Sequence, residues 1–381
     1  MTEKVRLFRN DLQARFVKRP NRFLIIAERD GKELFCHCPN PGRLSELLFP
    51  GTELILEKRG GPGTGWTAAA LKNAINAVIP LYSSRANDAA RALILHRIIP
   101  GLREIRREYP IGNSRFDFLC TGTGGKQHLI EVKACSLVEH GTAMFPDAPS
   151  ARALKHLEEL AYYSGKGFIC HVLFVIMHGK PKVFIPNLHT DPAFAEALCR
   201  YGRGTIAVHA ALIRCGEDGM AGLEAAKIPL ELGTSIGKLA ASDGGNYLVI
   251  LELPEPCSIE AGALGKIHLE QGWYVYAGSA RKNLSARIAR HRRKLRKQKH
   301  WHIDYLTPAA QTIKTLPIMT YRNLECDLAS DLQALGGKGV HDFGCSDCRC
   351  GSHLFYFSRS PDESREFQDL LFRYRHVKFR L

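Results

Sequence analysis

Apolar residues in the first eighty positions fall into short runs, RFVKRPNRFLIIAERDG, KELFCHCPN, GTELILEKRG and WTAAALKNAINAVIP, punctuated by RDG, PNPG, FPG and RGGPGTG. Short runs closed by Gly, Pro, Asn and Asp predict strands and turns, and several in so short a stretch predict a small barrel. Within LFCHC the two-residue period puts Leu34, Cys36 and Cys38 on one face. Asn87 and Asp88 are placed to cap a helix through AARALILHRII, which Pro100 and Gly101 would end. SRFDFLC and LIEVKAC then read as two apolar strands joined by a Gly/Thr-rich loop.

Ser150 is a suitable N-cap for the next helix. There Ala153, Leu154, Leu157, Leu160 and Ala161 form the apolar stripe, and Arg152, Lys155, His156 and Glu159 take the other side. The very apolar FICHVLFVIM, then VFIPN and a helix from Asp191, complete an α/β layout with a mixed sheet. Composition breaks at KIPLELGTSIGKLAASDGG, so a domain boundary is expected near 232. The pattern restarts with strands NYLVILEL and GWYVYAGSA, a basic helix over 283–299, WHIDYL, and a helical NLECDLASDL. No internal repeat or extended low-complexity segment is visible.

The 381 residues suffice for two or three domains, and 45% hydrophobic with 24% charged residues is ordinary for a globular chain. No apolar run approaches the roughly 20 residues that span a bilayer, and the charged N-terminus has no apolar signal core. A cytoplasmic protein without a membrane partner is expected. The net charge of +15 changes the picture more, because so large a cationic excess suggests a polyanionic partner, nucleic acid first. A general basic bias would leave the charge scattered. Instead RKNLSARIARHRRKLRKQKH (281–300) is half Lys and Arg. Most of the twelve cysteines lie within apolar segments, as reduced core residues do.

Three charges interrupt the apolar strand pair. Glu131 and Lys133 share a face, Ile130 and Val132 point away from it, and pairing the strands can bring Asp117 alongside Glu131. Two carboxylates held together repel unless a cation joins them. Mg²⁺ accepts one or two carboxylates and keeps its other positions for water and phosphate oxygens. A lysine beside it can orient a water and neutralise the charge of a pentavalent phosphorus. On these residues alone, the solvated face of an ordinary hairpin is the competing reading.

Over residues 1–230 the chain resembles the sugar fermentation stimulation protein family, SfsA, through RPNRFLI, CHCPNPGRL, ELLFPG, EYPIGNSRFDFL, IEVKACSL, FPDAPSARALKHLEEL and DPAFAEAL, in that order. The resemblance implies an OB-like N-terminal domain (1–82), then a domain similar to PD-(D/E)xK nucleases (83–232), with non-specific DNA binding. It places the Asp…Glu-x-Lys signature on Asp117, Glu131 and Lys133, with Asp117 and Glu131 as ligands for Mg²⁺ or Mn²⁺. Glu108 and Lys155 are additional catalytic candidates. Asn40 and Arg43 belong either to a turn, or to a phosphate contact or a closure over the active site. Lys18, Arg19 and Arg22 would suit a backbone groove on the barrel, and Arg152 the helix that follows the site.

A second constellation follows, in the order Gly245-x-Tyr247, Tyr276-x-Gly278, Arg287, Glu325. It resembles the GIY-YIG endonucleases. Through YVYAGSA, RIARHRRK, HWHIDYL, ECDLA and CSDCRCGSHLFYF, residues 240–365 resemble the related family DUF123. The resemblance implies Tyr247 and Tyr276 at an activated water, Arg287 on the phosphorane and Glu325 on a single Mg²⁺ or Mn²⁺. The asparagine that often follows the glutamate in that class has no counterpart here. Arg290, Arg292 and Arg293 should track a nucleic-acid backbone, with His300, His302 and Asp304 lining the same groove. Cys345, Cys348, Cys350 and His353 have spacing that suits Zn²⁺, or else they are reduced residues of a tight turn. The expected architecture is thus α/β and β, multi-domain: an OB-like barrel, a PD-(D/E)xK-like mixed-sheet domain and a small GIY-YIG-like domain. The expected function is metal-dependent phosphodiester cleavage, with non-enzymatic DNA binding and RNA processing as alternatives.

Overall fold

The computed structural model describes residues 3–60, 65–99, 101–294 and 298–377. Pro100, residues 61–64 of the RGGPGTG turn and Leu295–Lys297 of the basic run lie outside the described residues. The chain divides into two compact units, Met1–Gly237 and Lys238–Leu381. Among the described residues no helix is long and apolar enough to cross a membrane.

In the first unit a short strand, β1 (Lys4–Arg6), precedes the barrel strands β2 (Leu12–Asn21), β3 (Leu24–Arg29), β4 (Lys32–His37), β5 (Glu53–Lys58) and β6 (Trp66–Lys72). They run in the order β4-β3-β2-β5-β6, and β4 pairs with β6 through Cys36↔Trp66 and His37↔Thr67, so the barrel is closed. Alternation sends Ile25, Cys36, Leu54, Leu56 and Ala68 inward, all with 0% exposure, and Cys38 packs with them. β7 (Val78–Pro80) leaves the barrel beside β6.

The predicted helix after the barrel is a rod of three parts: a 3₁₀ turn at Ser83–Arg85 running into α1 (Ala86–Ala89), a π segment at Ala90–Ile94, and α2 (Leu95–Ile98). Asn87 therefore sits inside the helix and does not cap it. Next come β8 (Glu104–Ile111), β9 (Ser114–Thr121), β10 (Gln127–Cys135), β11 (Leu137–Glu139), β12 (Thr142–Phe145) and α3 (Ala151–Ser164). β13 (Ile169–Ile176), β14 (Val183–Pro186), α4 (Pro192–Tyr201), β15 (Ala207–Cys215) and β16 (Met220–Ala225) complete the unit. The main sheet runs β7-β15-β13-β10-β9-β8, parallel from β15 to β10 and antiparallel beyond, and is continuous with the barrel through β7.

Both faces of this sheet are covered. Ala86, Ala89, Leu93 and Ile94 of the first rod pack with Phe118, Ile130, Val132 and Leu173. On the other face Ala153, Leu157 and Leu160 of α3 and Phe194 and Leu198 of α4 pack with Leu129, Val172 and Phe174. Ser150 Oγ accepts from Ala153 N and Asp191 Oδ1 from Phe194 N, so both helices start at their capping residues.

α5 (Thr234–Ala241) carries the chain into the second unit. There β17 (Gly245–Leu253), the hairpin β18 (Cys257–Glu260) and β19 (Lys266–Leu269), and β20 (Gly272–Ala280) precede α6 (Leu284–Arg292) and α7 (His302–Leu306). β21 (Thr312–Met319), α8 (Glu325–Ala334), β22 (Lys338–Gly339), β23 (Leu354–Phe357) and α9 (Arg365–Phe372) follow. The sheet is antiparallel in the order β21-β17-β20-β23-β22, and α8 and α9 bury Leu328, Leu332, Phe367 and Leu370 against Leu248, Ile250 and Val275. One expectation changes here. The basic helix ends at Arg292, well short of 299, and the WHIDYL segment that follows is helical over His302–Leu306.

Candidate functional site

The register of β9 with β10 decides the first site. The ladder runs from Gln127↔Thr121 to Ile130↔Phe118 and stops there. The next positions in that register are Glu131 and Asp117. Phe116 and Phe118 enter the cores on opposite sides of the sheet, and the Asp117 carboxylate takes up the backbone amide that the ladder leaves free: Val132 N donates to Oδ2 at 2.7 Å. Asn87 Nδ2 donates to Oδ1, also at 2.7 Å. Burial, and then the Glu131 charge, push the Asp117 carboxyl up to about 6.

Glu131 is buried, at 4% exposure. Its Oε1 receives Lys133 Nζ at 2.6 Å and His156 Nδ1 at 2.5 Å, while Oε2 has no partner. Arg152 Nε donates to His156 Nε2 at 3.4 Å, which leaves Nδ1 as the donor to Glu131. Burial alone would raise the Glu131 pKa. The His156 hydrogen bond and the Lys133 charge outweigh it and hold the carboxyl below its ordinary range.

Several expected partners stand elsewhere. Glu108 is exposed on the edge strand and pairs with Arg115 at 2.8 Å. Lys155 pairs with Glu159 at 3.6 Å. Arg19 donates to the carbonyls of Arg22, Asn40, Gly42 and Arg43, and Asn40 Oδ1 accepts from Gly42 N. Arg19 and Asn40 are thus the clamp of the PNPG loop, with both Nη atoms of Arg19 and the Asn40 Oδ1 committed to it. A Cβ on Gly42 would lie 1.9 Å from Asp147 Oδ2, so a larger residue there would displace that carboxylate, and the Arg43 charge acts on the Asp147 carboxyl. Lys18 and Arg22 are exposed, and Arg22 lies 4.7 Å over the ring of Phe23, itself 52% exposed.

In the second unit Tyr247, Tyr276, Arg287 and Glu325 line one cavity of about 330 Å³, with Ser279, Trp301 and His302. The β17–β20 register sets Tyr247 opposite Gly278, where a Cβ would lie 2.5 Å from the Tyr247 ring; the glycine makes room for the ring. Tyr247 Oη lies 2.9 Å from His291 Nε2, and Asp304, at 0% exposure, stands behind His291. Burial raises the pKa of both tyrosines, and the Arg287 charge opposes this. Arg287 lies 4.7 Å over Trp301. Glu325 Oε2 accepts from Ser279 Oγ at 2.5 Å, and Oε1 faces His353 Nδ1 at 3.1 Å.

The basic helix contributes less free charge than its sequence implies. Arg290 is hydrogen-bonded to buried Asp304, which also accepts from the amides of His300 and Trp301. Arg292 donates to Thr315 Oγ1. Arg293 is exposed. The cysteine set also changes: the ligand atoms that converge are those of Cys326, Cys348, Cys350 and His353, all within 4.8 Å of one another. Cys345 lies outside that group, and its carbonyl accepts from Cys348 N in a turn.

Residues 17–79 match the family profile described as SfsA N-terminal OB domain, 84–219 the Sugar fermentation stimulation protein RE domain, and 246–376 the Domain of unknown function DUF123. A sugar fermentation stimulation protein homolog of Pyrobaculum neutrophilum is 37% identical over 223 residues, covering 58% of this chain and 94% of that one. The chain belongs to the sugar fermentation stimulation protein family. A further member, from Methanothermobacter thermautotrophicus, is 36% identical over 199 residues, 51% of this chain and 82% of that one. The solved structure of Pyrococcus furiosus SfsA in complex with Ca²⁺ aligns with a TM-score of 0.54 at 24% identity, over 60% of this chain and 99% of that chain, a likeness of fold.

Sequence reasoning missed Asn87, His156, His291 and Cys326. His156 was within reach: Ala153, His156, Leu157 and Leu160 follow the i, i+3, i+4, i+7 spacing of one face, which places the imidazole inward. Asn87 offered an equally good reading as a cap. Nothing local ties Cys326 to a loop more than twenty residues on.

Proposed function

We propose that this chain binds nucleic acid and hydrolyses phosphodiester bonds at the Asp117–Glu131–Lys133 centre with Mg²⁺ or Mn²⁺, in the manner of PD-(D/E)xK nucleases. The observation that carries this reading is the Glu131 carboxylate. Both donors within reach bind Oε1, and Oε2 is buried with no partner. A buried, unpartnered carboxylate oxygen is costly, and a hard divalent cation satisfies it. Asp117 would be the second ligand. The family member solved with Ca²⁺ supports an oxygen-seeking cation.

When bound, the cation would polarise a phosphate oxygen and acidify a water. The chain's own residues do the rest. His156 and Lys133 keep Glu131 ionised and fix which oxygen it offers. Asn87 and the Val132 amide orient Asp117. Lys133 sets a positive charge where a phosphorane would gather negative charge. Exposed Phe23 and Phe35 with Arg22 give the barrel apolar faces on which bases can stack.

The cavity of the second unit suits a GIY-YIG-like centre. Tyr247 can pass a proton to His291, Arg287 can receive a phosphorane charge, and Glu325 offers a carboxylate. The test uses purified chain with single-stranded, duplex and branched DNA and with RNA, plus Mg²⁺ or Mn²⁺, for wild type, Glu131→Gln, Arg287→Ala and the double variant. Cutting that falls in one or both single variants and is lost in the double variant is the expected result. Wild type that binds duplex but cuts nothing would leave a non-enzymatic DNA-binding protein. Cutting that survives in the double variant would remove both assigned centres.

A further inference from the structure

Cys326 stands in the first turn of α8, whereas Cys348, Cys350 and His353 belong to the turn-rich stretch ahead of β23. The fold gathers three thiols and one imidazole from these separate places so that their ligand atoms all lie within 4.8 Å of one another. We infer that Cys326, Cys348, Cys350 and His353 bind one Zn²⁺ in a closed tetrahedral site. This inference is independent of whether either centre cuts nucleic acid.

The donor set fits. Zn²⁺ is borderline-soft and prefers thiolate and imidazole, and a Cys₃His set leaves no open position, so the site is structural. Tetrahedral bonds of about 2.3 Å to sulfur and 2.0–2.1 Å to nitrogen set sulfur and nitrogen about 3.6 Å apart. Cys348 Sγ and His353 Nε2 lie 3.5 Å apart. The other face of the same imidazole is already engaged, with Nδ1 at 3.1 Å from Glu325 Oε1. Metal on Nε2 fixes the proton on Nδ1, which then donates to the carboxylate. Glu325 Oε2 accepts from Ser279 Oγ, and Glu325 lines the second cavity together with Gly344, Ser346 and Asp347 of the same loop. Zinc here therefore ties the start of α8 to the loop and orients Glu325 in the cavity wall. Glu325 acts in this as a positioning residue.

The four-ligand set is specific. A site built from sequence neighbours alone would use Cys345. Here Cys345 lies outside the gathered atoms and serves the turn through its carbonyl.

The test begins with full-length chain purified under reducing conditions without added metal. Elemental analysis should find about one zinc per chain. Zinc should be released in step with blocking of three thiols by a mercurial, and exchange for Co²⁺ should give the visible bands of a tetrahedral thiolate complex. Cys326→Ser and Cys350→Ser should hold less than a fifth of the zinc. Cys345→Ser should keep all of it. Glu325→Gln should keep the metal at full stoichiometry but release it to a chelator 10–100-fold more readily. Because the serine variants can misfold, the wild-type thiol titration and Co²⁺ spectrum stand as independent readouts. Reduced wild type that carries no zinc and gives no Co²⁺ spectrum overturns the inference. So does a disulfide among Cys326, Cys348 and Cys350 in the zinc-free chain as isolated, or zinc lost in Cys345→Ser and kept in Cys326→Ser.

Discussion

His156 Nδ1 lies 2.5 Å from Glu131 Oε1, the same oxygen that Lys133 Nζ approaches to 2.6 Å. A helix from one face of the sheet thus selects which oxygen of the strand's carboxylate stays open. His156→Ala should therefore weaken Mn²⁺ binding about 10–100-fold, the usual cost of losing a group that orients a metal ligand. Lys155→Ala, whose lysine pairs with Glu159 instead, should leave it within about twofold. Calorimetric titration of both variants checks the contrast.

The Asp117 carboxyl titrates near 6 in the folded chain, above its unfolded value. The folded state thus binds the extra proton, so this group's contribution to stability is fully present below about pH 4 and is lost as pH rises through 6. A shift of about two units corresponds to at most about 3 kcal/mol. Metal-free Asp117→Asn should be more stable than wild type at pH 7.5 and no more stable at pH 4. Mn²⁺ should raise the wild-type Tm more at pH 7.5 than at pH 5. Thermal unfolding across pH, with and without metal, reads both.

On the barrel, exposed and committed residues should separate cleanly. Phe23→Ala and Phe35→Ala should each weaken single-strand binding by about 1–3 kcal/mol without lowering Tm. Arg19→Ala should lower stability by about 3 kcal/mol, since four loop carbonyls lose a charged donor. Fluorescence anisotropy beside denaturant unfolding distinguishes the two classes.

The arginines of the basic helix divide in the same way. Arg293→Ala should reduce the slope of log affinity against log salt by about 1. Arg290→Ala should instead destabilise the second unit by about 3 kcal/mol, because buried Asp304 loses its cation. A salt series and a melting curve for each variant decide this.

Gly278→Ala should drive a methyl into the Tyr247 ring, because a Cβ there would stand only 2.5 Å from the ring, and should cost about 1–3 kcal/mol. His291→Phe keeps a ring in the core but removes the imidazole that faces the Tyr247 hydroxyl. If the second centre cuts, this variant should lose kcat with little change in KM, as single-turnover kinetics would show.

Local periodicity was enough to read the strands around Asp117 and Glu131, the helix capped by Ser150 and the inward face of Cys36 and Cys38. These depend on alternation and capping within a few residues. The clamp of Arg19, the orientation of His156 and the position of Cys326 depend on which distant segments meet, and composition carries no trace of that. The basic run shows the limit from the other side. Its charge was legible, and Asp304 was expected to line the same groove, but its burial against Arg290 was not legible, because that depends on how α7 packs against α6.

Where β9 and β10 part, the Asp117 carboxylate takes the place of a rung and holds the Val132 amide. That amide is consequently a gauge built into the backbone. Anything that draws electron density from Asp117, a proton or a cation, must loosen its grip on one N–H, and the exchange rate of that single hydrogen reports the occupancy of the centre with no substrate present.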